Sequence, residues 1–208
     1  MKKVAIISLS ILLLLLIGRL FVMDVIVVPE GKCPQAGKWA LVNRWAYGFR
    51  TPWNPHQRWA PSPVKRNDWV VYNQPLPTRE GQPDTTARRI GRCLSVPGDT
   101  LWYNNETGRI SKFHDRRNGF THPLIVPAKG KKTRITTENL RFYAPTIMRH
   151  EPVKAVILND SLCISGRIQS TYTFQQDYYW MTTDNPQNLL DSRSFGFVPQ
   201  TSLIGKIL

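Results

Sequence analysis

Residues Arg92 to Tyr103 constrain the fold of this chain more than any other stretch. Arg92-Cys93-Leu94-Ser95-Val96 is an apolar strand, Pro97-Gly98-Asp99 turns the backbone, and Thr100 to Tyr103 leaves the turn as a second strand. A later stretch, Asp184 to Pro199, reads DNPQNLLDSRSFGFVP. Asp184-Asn185-Pro186 is turn chemistry, Asp191-Ser192-Arg193 follows, and an aromatic-Gly-aromatic step then enters an apolar strand. The Asp and Arg of such a segment can pin a loop by pairing.

The N-terminus sets the second constraint. Met1-Lys2-Lys3 is followed by an apolar run that is interrupted at Arg19 and resumes as far as Pro29. No small-x-small cleavage site follows the run and no lipobox cysteine lies near it, so an uncleaved anchor over residues 1–24 is expected. At 1.5 Å per residue, Val4 to Val22 would span roughly the ~30 Å hydrocarbon core, with Arg19 snorkelling outward. Lys2 and Lys3 would stay in the cytoplasm, leaving residues 25–208 on the extracytoplasmic side of a bacterial-type plasma membrane.

With 208 residues and 41% hydrophobic content, the remainder suffices for one sizeable domain. Three cysteines, Cys33, Cys93 and Cys163, are an odd number, so at least one thiol is unpaired or intermolecular. Cys93 and Cys163 lie in apolar runs and read as small buried hydrophobes. Neither the cysteines nor the four scattered histidines have metal-ligand spacing, and nothing calls for a metal or a cofactor. The net charge of +14 asks for an anionic partner, which phospholipid head groups beside an anchor supply. Nucleic acid is disfavoured. The clusters at Arg88-Arg89, Arg116-Arg117 and Lys129 to Lys132 are short, and no helix-turn-helix or finger pattern accompanies them.

The two stretches, in this order and after an apolar N-terminal run, resemble the type I signal peptidases, membrane-anchored Ser/Lys proteases that cut leader peptides from exported proteins. The resemblance takes in Leu41 to Gly48 and Phe197-Val198-Pro199 to Gly205-Lys206, and so nearly the whole chain. It implies a mainly β fold: an antiparallel β domain on a single N-terminal transmembrane helix. It also implies that Arg92, Pro97, Gly98, Asp99, Asp184, Asn185, Asp191, Ser192 and Arg193 are motif residues that support the fold.

At the family's chemical positions the sequence departs from the pattern. The family's nucleophile lies in a Pro-Ser-x-Ser-Met-x-Pro segment. Here Pro29-Glu30-Gly31-Lys32-Cys33-Pro34 takes that place, and no serine occurs between Ser10 and Ser62. The family's lysine directly precedes the arginine matched by Arg92, which puts Gly91 at the base position. Arg88 and Arg89 cannot replace it, because a guanidinium stays charged where the mechanism needs a neutral amine. Thr183, Pro186 and Leu189 stand where Gly, Arg and Ser are expected. Cys33 lies beside the lost serine but has no histidine or lysine aligned to generate a thiolate, and Lys32 reads as a surface charge.

Between these landmarks, Val25 to Val28, Trp39 to Tyr47 and Thr86 to Val96 read as strands, and Asp68 to Asn73 resembles the family's strand after its Gly-Asp turn. The loop from Phe49 to Asn67 is rich in Pro, Trp and Arg. Trp45, Trp53 and Trp59 read by default as packing residues, with a seat at the bilayer interface as the alternative. Residues 102–174 read as hairpins with one short helix, Thr137 to Met148, capped by Thr136 or Thr137 and limited by Pro145. This insertion resembles the family's non-catalytic cap, and no chemistry is assigned to it. The reading is of a membrane-anchored signal peptidase homologue, catalytically impaired or inactive, in or beside the processing of exported preproteins. Its expected partners are membrane phospholipids and exported preproteins or an active signal peptidase. The alternatives are an active peptidase with relocated catalytic groups, and a basic membrane-surface or nucleic-acid adaptor.

Overall fold

The computed structural model describes residues 2–28, 36–51, 54–60, 62–75, 87–114, 120–183 and 190–208. Lys2–Phe21 form helix α1, whose described apolar side chains from Val4 to Leu16 lie open on all sides, with no core packed against them. Among the described residues, no helix is long and apolar enough to cross a membrane.

The chain then runs through β1 (Met23–Val27), β2 (Trp39–Asn43), β3 (Phe49–Thr51), β4 (Asn54–Trp59), β5 (Trp69–Asn73) and β6 (Arg88–Ser95). After these come β7 (Thr100–Asn104), β8 (Ile110–Ser111), β9 (Thr121–Ile125), β10 (Lys132–Arg134) and helix α2 (Thr137–His150). The last part holds β11 (Ala155–Leu158), β12 (Ser161–Ile164), β13 (Arg167–Gln169), β14 (Thr171–Thr173) and β15 (Tyr178–Thr182). One-turn helix α3 (Ser192–Phe195), β16 (Val198–Pro199) and β17 (Leu203–Ile207) close the chain. The fold is mainly β, as expected, and its described strand pairs are antiparallel.

Seven strands make the main sheet, in the order β1-β2-β17-β5-β6-β15-β16. The sheet is curled. Arg88 on β6 reaches Asp24 on β1 at 3.0 Å, although three strands separate the two in the sheet order. Within the curl, Val28, Ala40, Val42, Val71 and Ile207 form one apolar cluster with Ile26, Trp69, Ile90 and Ile204. The other face carries Tyr47, Val64, Val70, Tyr72, Cys93, Tyr179, Met181, Val198 and Leu203. Strands β5 and β6 are thus covered on both sides, as the near-continuous apolar run of β5 requires.

The inserted hairpins pair as β8-β7-β9, β10-β14 and β11-β12-β13. Their core contains Leu101, Leu124, Leu140, Tyr143, Ile147 and Leu162, and it continues into Tyr178, Trp180 and Phe197 of the main sheet's end. Tyr143 stacks on Phe197 with ring centroids 5.7 Å apart. Buried Glu151 secures the same junction, accepting from Tyr172 Oη at 2.9 Å, Tyr178 Oη at 2.7 Å and the Gln175 amide at 2.8 Å.

Several expectations are corrected. The strand from Trp39 stops at Asn43, whose Oδ1 accepts the Trp45 amide at 2.9 Å and bends the chain into a turn that ends at Tyr47. Of the core or loop packing expected for the tryptophans, Trp45 shows the loop kind, edge-on to Phe49 with ring centroids 5.1 Å apart; Trp45 and Trp59 are 43% and 58% exposed and in no core, while Trp53 lies outside the described residues. Helix α2 passes Pro145 as expected but ends at His150, two residues beyond Met148, because Tyr143, Ala144, Thr146 and Ile147 are all buried there and this packing outweighs one missing backbone bond. Its start is held as expected near Thr136, whose amide donates to Asn139 Oδ1 at 2.8 Å. Cys93 and Cys163 are free, buried thiols, as their apolar context implied.

Two stability predictions follow from this packing. A Cβ on Gly205 would lie 2.5 Å from the Asn43 carbonyl oxygen and 2.8 Å from Val42 Cγ1, so Gly205 lets β17 seat between β2 and β5. Gly205→Ala is expected to lower unfolding free energy by about 3 kcal/mol in a urea titration. His150 is held near pKa 4, down from 6.5, by burial and then by the Arg149 charge. Between those values the unfolded chain binds the extra proton, so folded stability should fall as pH drops from 6.5 towards 4. Melting temperature measured against pH should show that slope, and His150→Gln should flatten it.

Candidate active site

The β5–β6 register sets Val70 opposite Gly91 and Tyr72 opposite Arg89. Tyr72 therefore lies diagonally across from Gly91, two positions along the same face. On the other side of β6, β15 brings Met181 opposite Cys93 after a bulge at Trp180/Met181. Position 91 is consequently enclosed. A Cβ there would lie 3.2 Å from Tyr72 Cε1, 3.3 Å from Tyr72 Oη and 3.4 Å from Met181 Cβ. Phe195 braces the tyrosine ring from α3 in an edge contact of 6.2 Å.

Among the described residues no amine occupies this place. The nearest polar group is the Tyr72 hydroxyl, which is buried and has no hydrogen-bond partner among the described residues. Such an unmade bond costs about 1–3 kcal/mol. Burial pushes the phenol far above its ordinary pKa, and the Asp191 charge adds to the shift while Arg89 opposes it. The phenol stays protonated and cannot serve as a base at neutral pH. Neighbouring cations are engaged elsewhere: Arg89 Nε donates to Gln74 Oε1 at 2.7 Å, and Arg88 pairs with Asp24.

The motif residues support this place from both ends. Pro97-Gly98-Asp99 forms a tight turn in which the Asp99 amide donates to the Val96 carbonyl at 3.0 Å and Gly98 takes φ +88. Asp99 accepts the Val96 amide at 3.0 Å and pairs through both carboxylate oxygens with Arg66, tying the turn to the segment before β5. Burial pushes the Asp99 carboxyl up, but the Arg66 and Val96 hydrogen bonds and the charges of Arg66 and Lys112 outweigh it and hold the group below its ordinary value.

The Asp–Arg pinning expected in the C-terminal stretch is present. Fully buried Asp191 caps α3, accepting the Arg193 amide at 2.9 Å, and also pairs with Arg193 Nη2 at 2.7 Å. The same carboxylate accepts the Thr183 amide at 2.8 Å and the Thr183 hydroxyl at 3.1 Å. Ser192 Oγ accepts the Met181 amide at 2.9 Å, which fastens α3 onto β15 and sets Phe195 against Tyr72. Arg92 lies on β6 opposite Trp69 and Thr182. Lys32, Cys33, Asp184, Asn185, Pro186 and Leu189 lie outside the described residues.

Sequence reasoning missed Tyr72 and Phe195. Alternation along Val70-Val71-Tyr72 was the available signal for the first, but it requires the partner strand and register to be known. It also missed Asp68, which accepts from Lys206 Nζ at 2.7 Å, the Lys65 amide at 3.0 Å and Tyr47 Oη at 3.3 Å. Among the described residues no group of three or more His, Cys, Asp or Glu side chains could hold a metal ion. A cleft of about 260 Å³ lined by Trp102, Asn104, Thr107, Arg109, Ser111 and Phe113 with Thr121 belongs to the β8-β7-β9 sheet, not to the sheet that carries Gly91.

Cys93 is the thiol nearest position 91 in sequence among the described residues, and its Sγ donates to the Ser95 carbonyl at 3.5 Å. Burial, with the charges of Asp68 and Asp99, pushes it up to about 12, Arg66 and the Ser95 contact acting in the opposite sense. It is therefore a neutral thiol and a poor nucleophile. Peptide mapping after exposure of the folded protein to iodoacetamide at pH 8 should find Cys93 unmodified, and the same treatment in denaturant should label it.

The family described as signal peptidase, peptidase S26, matches residues 1–208. Signal peptidase I of Buchnera aphidicola subsp. Baizongia pistaciae is 25% identical, the match covering 95% of this chain and 72% of that protein. Signal peptidase I of Buchnera aphidicola subsp. Schizaphis graminum is 25% identical over 90% of this chain and 67% of its own length. Signal peptidase I of Pseudomonas aeruginosa is 23% identical over 94% of this chain and 67% of that protein. A match from the first residue to the last, with the β-rich fold and the Pro97-Gly98-Asp99 and Asp191-Ser192-Arg193 supports in place, makes this chain a member of the signal peptidase family, peptidase S26.

Proposed function

We propose that this chain is a membrane-tethered signal peptidase homologue that handles exported preproteins without cutting them. Family membership supports a role in preprotein processing. The observation that carries the loss of cleavage is Gly91: the position matched to the family's base has no side chain, and the group beside it is a protonated phenol. A nucleophile and its base act as a unit, so one missing member suffices to suppress turnover. Recognition of an extended peptide by strand addition uses main-chain hydrogen bonds and survives that loss. Such a protein can present preproteins or partner an active peptidase.

In this proposal residues 1–24 are the anchor, and residues 25–208 are the extracytoplasmic domain, with 102–174 as a cap without chemistry. The open apolar side chains of α1, the net charge of +14 and the exposed Trp39, Trp45 and Trp59 support a seat at an anionic bilayer.

The test uses the full chain in mixed phospholipid vesicles with a leader-bearing preprotein. Expected are no leader removal above the protein-free control and saturable retention of the preprotein that is lost when its leader is deleted. Leader removal that disappears in Cys33→Ala would replace this reading with an active peptidase whose catalytic groups have moved.

A further inference from the structure

Gly91 is not merely a lost lysine standing over empty space. Its two nearest contacts belong to one side chain, Tyr72, at 3.2 Å and 3.3 Å from the place a Cβ would take, with Met181 closing the other side at 3.4 Å. The two Tyr72 distances are tighter than most carbon contacts, so the phenol must give by a few tenths of an ångström to admit even a Cβ at 91, and by more for a longer side chain. The phenol cannot yield easily: it is fully buried, Val70 and Met181 share its cluster, and Phe195 backs its ring. Phe195 is in turn fixed by α3, which Asp191 caps and Ser192 bonds to β15.

We infer that Tyr72 is the plug of the base position: its phenol fills the volume that a side chain at 91 would enter, so positions 72 and 91 form one packing unit. A lysine can be seated at 91 only if Tyr72 is cut back. Reversal of the family's loss at this strand therefore takes two changes, whatever stands in the nucleophile turn. The identification of 91 as the base position rests on the function proposed above; the packing of 72 on 91 does not.

A double-mutant cycle on the full chain tests the packing. Gly91→Ala alone should raise the unfolding equilibrium constant about tenfold in urea titrations, and in a Tyr72→Leu background the same change should raise it less than about threefold. Equal effects in the two backgrounds would overturn the plug. A second arm replaces Gly91 by lysine and reads that lysine's titration by NMR after isotopic methylation. With Tyr72→Leu present, the amine should titrate below the ordinary lysine range because the apolar site encloses it. A G91K chain with Tyr72 intact that melts at the parent temperature and carries such a depressed lysine would equally overturn the inference. The two proposals fail separately. Leader cleavage by the unaltered chain would remove the proposed function and leave the cycle standing, whereas additivity in the cycle would remove the plug and leave the proposed loss of cleavage, which rests on the missing amine, untouched.

Discussion

Strand β6 is the constraint on which the rest depends. Held between β5 and β15, it shows Ile90 to the cluster inside the curl and Gly91 and Cys93 to the opposite one. The buried face of Gly91, Cys93 and Ser95 tolerates little change in side-chain volume, because interiors are packed nearly as densely as organic crystals. Loss of a long side chain at 91 would leave a void unless a neighbour moved in. Tyr72, diagonal to it on β5, is the neighbour that fills the place.

The surrounding polar groups serve this arrangement. Asp191 uses one carboxylate to start α3, to hold Arg193 and to hold Thr183, and α3 then presents Phe195 to Tyr72. Asp99 performs a comparable task at the far end of β6, where Arg66 and the Val96 amide converge on it. The contacts described for these residues hold turns and helix ends in place. A retained motif residue thus informs about the fold before it informs about chemistry.

Much of the fold was legible from local pattern. The Pro97-Gly98-Asp99 turn, the strands on either side of it, the buried Cys93 and Cys163 and the Asp191–Arg193 pinning all follow from residue type and short spacing. Local pattern misled where long-range packing competed with it. Pro145 was expected to limit the helix to Met148, but the buried face of α2 carries it on to His150.

The sequence by itself determined that no amine stands at position 91, that a strand and a tight turn flank it, and that the chain follows the signal peptidase pattern along its length. Those are properties of residue identity and order. Only the tertiary structure decided what replaced the missing side chain, because that depends on strand register, on the curl closed between Asp24 and Arg88, and on a one-turn helix brought from a hundred residues away. Contacts across such separations have no local signature: they exist once the strands have paired, and a shift by one residue would have turned Tyr72 to the other face.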